Sequence, residues 1–161
     1  MARIHWLKFA AGAAVLLTAA LAVCAWRGAF AHGVLELRDD QTGRVYARYP
    51  ISVGDEFSVT FVHSVNKSDV TDIYQIRPDG IYAVASRYSA FGAGMPTSLE
   101  PGWTLTQYED CMVLSGLDQK MQRLCYVVGT VYDHRLTIGE TEINLRALCG
   151  KNRSVLFVYR K

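Results

Sequence analysis

The sequence predicts an all-β fold, an antiparallel β-sandwich or small barrel preceded by one N-terminal hydrophobic helix. Three observations lead there. Short runs rich in β-branched and aromatic residues recur from Gly33 onward, with turn residues between them. Helix-period patterns are absent from that stretch. Ahead of it, 18 uncharged residues (9–26) follow a basic start made by Arg3, His5 and Lys8. That length lies within the roughly 17–25 residues that can span a bilayer as a helix.

The elements follow in order. Eight of those 18 residues are alanine, which suits the core of a signal peptide as well as a membrane span. The basic flank predicts a cytoplasmic N-terminus with everything beyond Arg27 on the outer side. Ala29-Phe30-Ala31 has the small-x-small form of a cleavage site, which would leave His32 as a new N-terminus. Residues 1–31 are therefore expected to be a signal peptide or N-terminal membrane anchor, and residues 32–161 an exported β domain. That domain would be held on the periplasmic side of the inner membrane or released to the periplasm. Strands are expected at 34–38, 44–49, 56–63, 69–77, 81–88, 103–107, 111–115, 121–129, 135–138, 142–145 and 155–159. Many short strands at such spacing mean a sandwich or barrel. Pro78-Asp79-Gly80 is the strongest turn signal among them.

Charge narrows the function classes. The chain of 161 residues carries 17 Lys+Arg against 15 Asp+Glu. Arg3, Lys8 and Arg27 belong to the leader, so the rest holds 14 basic residues and the same 15 acidic ones, a net −1. There is no basic cluster on which nucleic-acid binding could rest. No cofactor fingerprint is present either: the glycines at 92 and 94 fit neither the dinucleotide nor the phosphate-loop pattern.

Cys111, Cys125 and Cys149 follow the leader. A hairpin centred on Asp118 would set Cys111 opposite Cys125, close enough for a disulfide in an oxidising compartment. Two buried free thiols are the competing expectation.

One constellation carries chemistry. Phe57, Val59, Phe61 and His63 form the inward face of a strand. A two-residue turn at Asn66-Lys67 would set His63 against Val70 and Phe61 against Asp72, making His63 and Asp72 diagonal neighbours. An inward carboxylate is costly unless it is hydrogen-bonded or paired. Beside a histidine it can orient the ring and raise its pKa. The same pair also fits an ordinary satisfied polar contact, and Ser64 points to the opposite face. The second candidate is the loop Gly92, Gly94, Met95 and Pro96, whose glycines let backbone approach a ligand closely. A sheet corner would use the same residues.

The segments Phe61-Val62-His63-Ser64-Val65, Val70-Thr71-Asp72-Ile73-Tyr74 and Tyr88-Ser89-Ala90-Phe91-Gly92-Ala93-Gly94-Met95-Pro96 resemble an uncharacterised family of small exported bacterial proteins, domain of unknown function 1850. The resemblance covers residues 33–100. The family pattern has an acid, often glutamate, where this chain has Asp72. Its members are commonly encoded beside TRAP-type transporters with TAXI-type binding proteins. The resemblance therefore implies an accessory protein of solute uptake, with TRAP transporter subunits and the membrane as partners. On that reading His63, Ser64, Asp72, Gly92, Gly94, Met95 and Pro96 form a ligand-binding site without catalysis. Two alternatives remain: an exported hydrolytic enzyme using the His–Asp pair, and a copper site built on a mature N-terminal His32.

Overall fold

The computed structural model describes residues 32–90 and 98–161. The expected leader, the side chain of His32 and the loop residues Gly92, Gly94, Met95 and Pro96 lie outside the described residues. Among the described residues no helix is long and apolar enough to cross a membrane.

The domain is almost entirely β, two antiparallel sheets laid face to face as a sandwich. The smaller sheet has the order β2-β1-β11-β8, with β1 His32–Asp39, β2 Val45–Ser52, β8 Leu124–Val127 and β11 Ser154–Arg160. The larger has the order β10-β9-β3-β4-β5-β7-β6. Its members are β3 Glu56–Val62, β4 Asp69–Arg77, β5 Gly80–Tyr88, β6 Thr104–Gln107, β7 Met112–Lys120, β9 Arg135–Ile138 and β10 Thr141–Asn144.

Period-two alternation builds the core. Leu35 and Leu37 of β1 point inward, as do Val155 and Phe157 of β11, Phe57 and Val59 of β3, and Leu136 of β9. Phe57 stacks on Tyr74 at 5.2 Å within its own sheet and on Phe157 at 5.9 Å across the gap. These contacts fix the spacing of the layers. A second, smaller cluster of Val70, Tyr88, Met112 and Leu114 lies beyond, flanked by Phe61, Trp103, Leu105 and Leu117. On the outer face of the small sheet, Glu36 is buried beneath Arg38, Arg48 and Arg160. Hydrogen bonds from Arg48 and Arg160 hold its carboxyl down at about 2.

The chain departs from expectation in two places. Residues 116–120 are not a hairpin loop. They continue β7, which pairs with β5 as far as Lys120 opposite Tyr82. Gly116 (φ 77°) and Asp118 (φ 47°) absorb the register shift as a bulge. A Cβ on Gly116 would sit 2.3 Å from the Gly102 carbonyl oxygen, so only glycine fits there. The chain then crosses to the other sheet as β8. Cys111, just ahead of β7 of the large sheet, and Cys125, on β8 of the small one, are consequently free thiols like Cys149; the expected disulfide does not form. The other departure is α1, Leu145–Cys149, where strand was expected to reach 145. The Asn144 side chain caps it by accepting from the Ala147 N–H at 3.0 Å.

Free thiols carry a direct consequence. Reducing agent, or Cys111→Ser or Cys125→Ser, should leave thermal unfolding unchanged. A bridge would show itself as a loss of about 2–4 kcal/mol on reduction.

Candidate functional site

Turn chemistry decides where the expected residues fall. A two-residue turn, type I′ or II′, needs positive φ at its first central position, but of Asn66 and Lys67 only Lys67 (φ 55°) adopts it. The connection is instead four residues, 64–67. It is closed by the His63 N–H donating to Ser68 and the Lys67 N–H donating to His63, each at 2.9 Å. The register therefore slips by two: Phe61 pairs with Val70, and Asp72 with Val59. A slip of two keeps every side chain on its own face. Asp72 still points inward, but His63 is carried out to the hairpin tip, where its Nδ1 accepts from the Val65 N–H at 3.3 Å. His63 and Asp72 are not diagonal neighbours, and Ser64 is exposed in the turn.

Asp72 is satisfied by other partners. On β5, a register shift between Ala83 and Ala85 flips the alternation, so that Ser86 and Tyr88 face inward. Ser86 lies directly opposite Asp72, and its hydroxyl donates to Oδ1 at 2.8 Å. From the small sheet, the Tyr126 hydroxyl donates to Oδ2 at 2.7 Å. Tyr126 has one proton and spends it on Asp72, so the Tyr74 hydroxyl, 2.6 Å away, must donate to Tyr126. Burial pushes both phenols well above the ordinary tyrosine range, with the nearby Asp72 charge adding to it. They stay protonated and act as donors. The result is an ordered chain, Tyr74 to Tyr126 to Asp72, with Ser86 closing the other oxygen.

The histidine above this layer is His134, not His63. It ends the 128–134 connection and stacks on Phe61 at 5.7 Å, with its edge toward Tyr126 at 6.1 Å. Its carbonyl accepts from the Leu145 N–H at 2.9 Å, and the preceding Asp133 is held by Arg146 at 2.6 Å and Asn144 at 2.7 Å. Burial, followed by the Arg146 charge, pushes its pKa below the usual 6.5. The ring is neutral at pH 7. Two signals could have pointed here: Tyr126 is inward by alternation with Leu124, and His134 falls just ahead of a strand. The β5 bulge hid Ser86, because strict alternation would have turned it outward.

A satisfied carboxylate, two protonated tyrosines and a neutral imidazole can recognise a polar group or lock the sheets together. No activated nucleophile stands among them. Among the described residues no three of His, Cys, Asp or Glu gather as metal ligands.

The His134 shift has a sign. The unfolded chain takes up a proton near pH 6.5 that the folded ring refuses, so stability present above that pH is lost below it. Glu36 and Asp39, both held at about 2, lose their contribution only in a lower window, from their ordinary 4.5 and 3.8 downward. The unfolding temperature should therefore fall between about pH 7 and 5.5, and His134→Gln should flatten that part of the curve. An unchanged slope in the variant would show that the ring does not carry it.

No curated protein and no solved structure matches the chain. A family model does, over residues 57–145. The match runs from the first inward residue of β3 through β4, β5, β6, β7, β8, β9 and β10 to Leu145. It thus extends well past residue 100, takes in Asp72, Ser86, Tyr126 and His134, and leaves out β1, β2 and β11. The chain belongs to the family described as a domain of unknown function, DUF1850.

Proposed function

We propose that this is a membrane-associated or periplasmic accessory protein of TRAP-type solute uptake, a docking module rather than an enzyme. The observation that carries the reading is one end of the sandwich. The 63–68 hairpin tip and the 128–134 connection meet there, with the Lys67 ammonium 5.7 Å from the Tyr132 ring. They expose Val65 (70%) and Val131 (74%), and Tyr132 is exposed as well. Exposed apolar side chains on adjacent loops, ringed by Lys67 and Arg135, suit a protein contact. β1 begins at the other end, where Val34 pairs with Arg160. The expected site residues His63 and Ser64 lie on the same loops, and β5 ends at Tyr88 on that side. Family membership and the resemblance to proteins encoded beside TRAP transporters supply the choice of partner.

Photo-crosslinking residues introduced at Val65 and Val131 in cells test this directly. They should capture a subunit of the adjacent transporter or its solute receptor. The same residue at Val53, exposed in the turn at the opposite end of β3, should not. Equal capture from Val53, or no transporter component from either loop, would contradict the proposal.

A further inference from the structure

Of the ten arginines among the described residues, eight hold a carboxylate partner: Arg38, Arg48, Arg77, Arg87, Arg123, Arg135, Arg146 and Arg160. Arg44 and Arg153 hold no ion pair among the described residues. Both line one cleft of about 240 Å³, with Asp39, Thr42, Tyr46 and Cys149. We infer that this cleft is a binding site for a small oxyanion, a phosphate or a carboxylate, clasped between the guanidinium groups of Arg44 and Arg153.

The cleft is built from pinned backbone. The Asp39 N–H donates to the Arg44 carbonyl and the Gly43 N–H to the Asp39 carbonyl, each at 2.8 Å, which fixes the β1–β2 turn. Opposite it, the Val128 N–H donates to the Arg153 carbonyl at 2.8 Å and the Asn152 N–H to the Val128 carbonyl at 2.9 Å. The two arginines thus stand on rigid turns from separate parts of the chain.

Asp39 adds a negative charge to the cleft, but its oxygens are already occupied. Oδ1 accepts from the Gln41 and Thr42 N–H groups at 3.0 and 2.8 Å, and Oδ2 from the Tyr46 hydroxyl at 2.5 Å. Those bonds hold it at about 2, and among the described residues no ion pair joins it to either arginine. Burial pushes the Cys149 thiol up to about 11, so the cleft floor is neutral. Two cations against one committed carboxylate leave a net +1. Planar guanidinium forks recognise carboxylate and phosphate oxygens bidentately. The volume falls below the ~300–1,000 Å³ of sites for drug-sized ligands, which limits the occupant to a few heavy atoms.

The test uses the purified full-length chain in chloride buffer, titrated calorimetrically with inorganic phosphate and separately with malonate. At least one should bind; phosphate alone marks a phosphoryl site, malonate alone a carboxylate site, and both a general oxyanion site. Arg44→Gln and Arg153→Gln should each weaken binding about tenfold or more. Arg123→Gln, whose side chain is paired with Asp40, should leave it unchanged. Both target arginines are exposed and unpaired, so the fold should survive their substitution. A second readout is the unfolding temperature: the bound anion should raise it in the unsubstituted chain and not in the R44Q/R153Q double variant. Binding of neither anion, equal binding by the R44Q/R153Q double variant, or the same rise in unfolding temperature in both proteins at saturating anion would overturn the inference.

Discussion

The Asp72 carboxylate is the constraint around which the domain is organised. It faces inward in a β-sandwich, where an unsatisfied charge would cost several kcal/mol. Its two oxygens are met by Ser86 from the neighbouring strand and Tyr126 from the opposing sheet. The second bond matters more for architecture, because it ties β4 to β8 across the gap. Apolar contacts such as Phe57 on Phe157 pull the sheets together without fixing their alignment. A hydrogen bond to a buried carboxylate is directional, and it tolerates little sliding. The network also stands between the two apolar clusters, touching Tyr74 of the main core and lying beside Val70 and Phe61 of the smaller one.

Two local irregularities make that arrangement reachable. The β5 shift at Ala83–Ala85 changes which residues face inward, and without it Ser86 would point to solvent. The four-residue turn after His63 slides β3 against β4 by two positions, bringing Val59 rather than Phe61 opposite Asp72. Phe61 is thereby placed under His134, and the aromatic stack of Phe61, His134 and Tyr126 closes the end of the sandwich. The proposed docking loops rest on that stack, so the buried network supports the exposed surface.

The sandwich itself was legible, since alternation in 34–38, 56–63 and 69–77 reports strand and face together. Asp72 was legible too, as an inward carboxylate that needs partners. The identity of those partners was not. Ser86 was hidden by a bulge, and Tyr126 by a sheet crossing after Lys120 that a symmetric hairpin reading cannot see. A two-residue Asn-Lys turn would bring His63 beside Asp72; the four-residue connection carries it to the hairpin tip instead. Register depends on φ at one or two residues, and Lys67 alone took the positive value. The family match spans Asp72, Ser86, Tyr126 and His134, whereas every residue lining the arginine cleft lies outside that span.

The most direct measurement is a double-mutant cycle on Asp72→Ala and Tyr126→Phe, read by chemical denaturation of the full-length chain. If the inter-sheet hydrogen bond to a buried carboxylate aligns the sandwich, the two losses should be strongly non-additive. The coupling expected for a hydrogen bond to a charged group is about 1.5–3 kcal/mol. Additivity to within about 0.5 kcal/mol would mean that the two residues act independently, and that the alignment of the sheets rests on apolar packing alone.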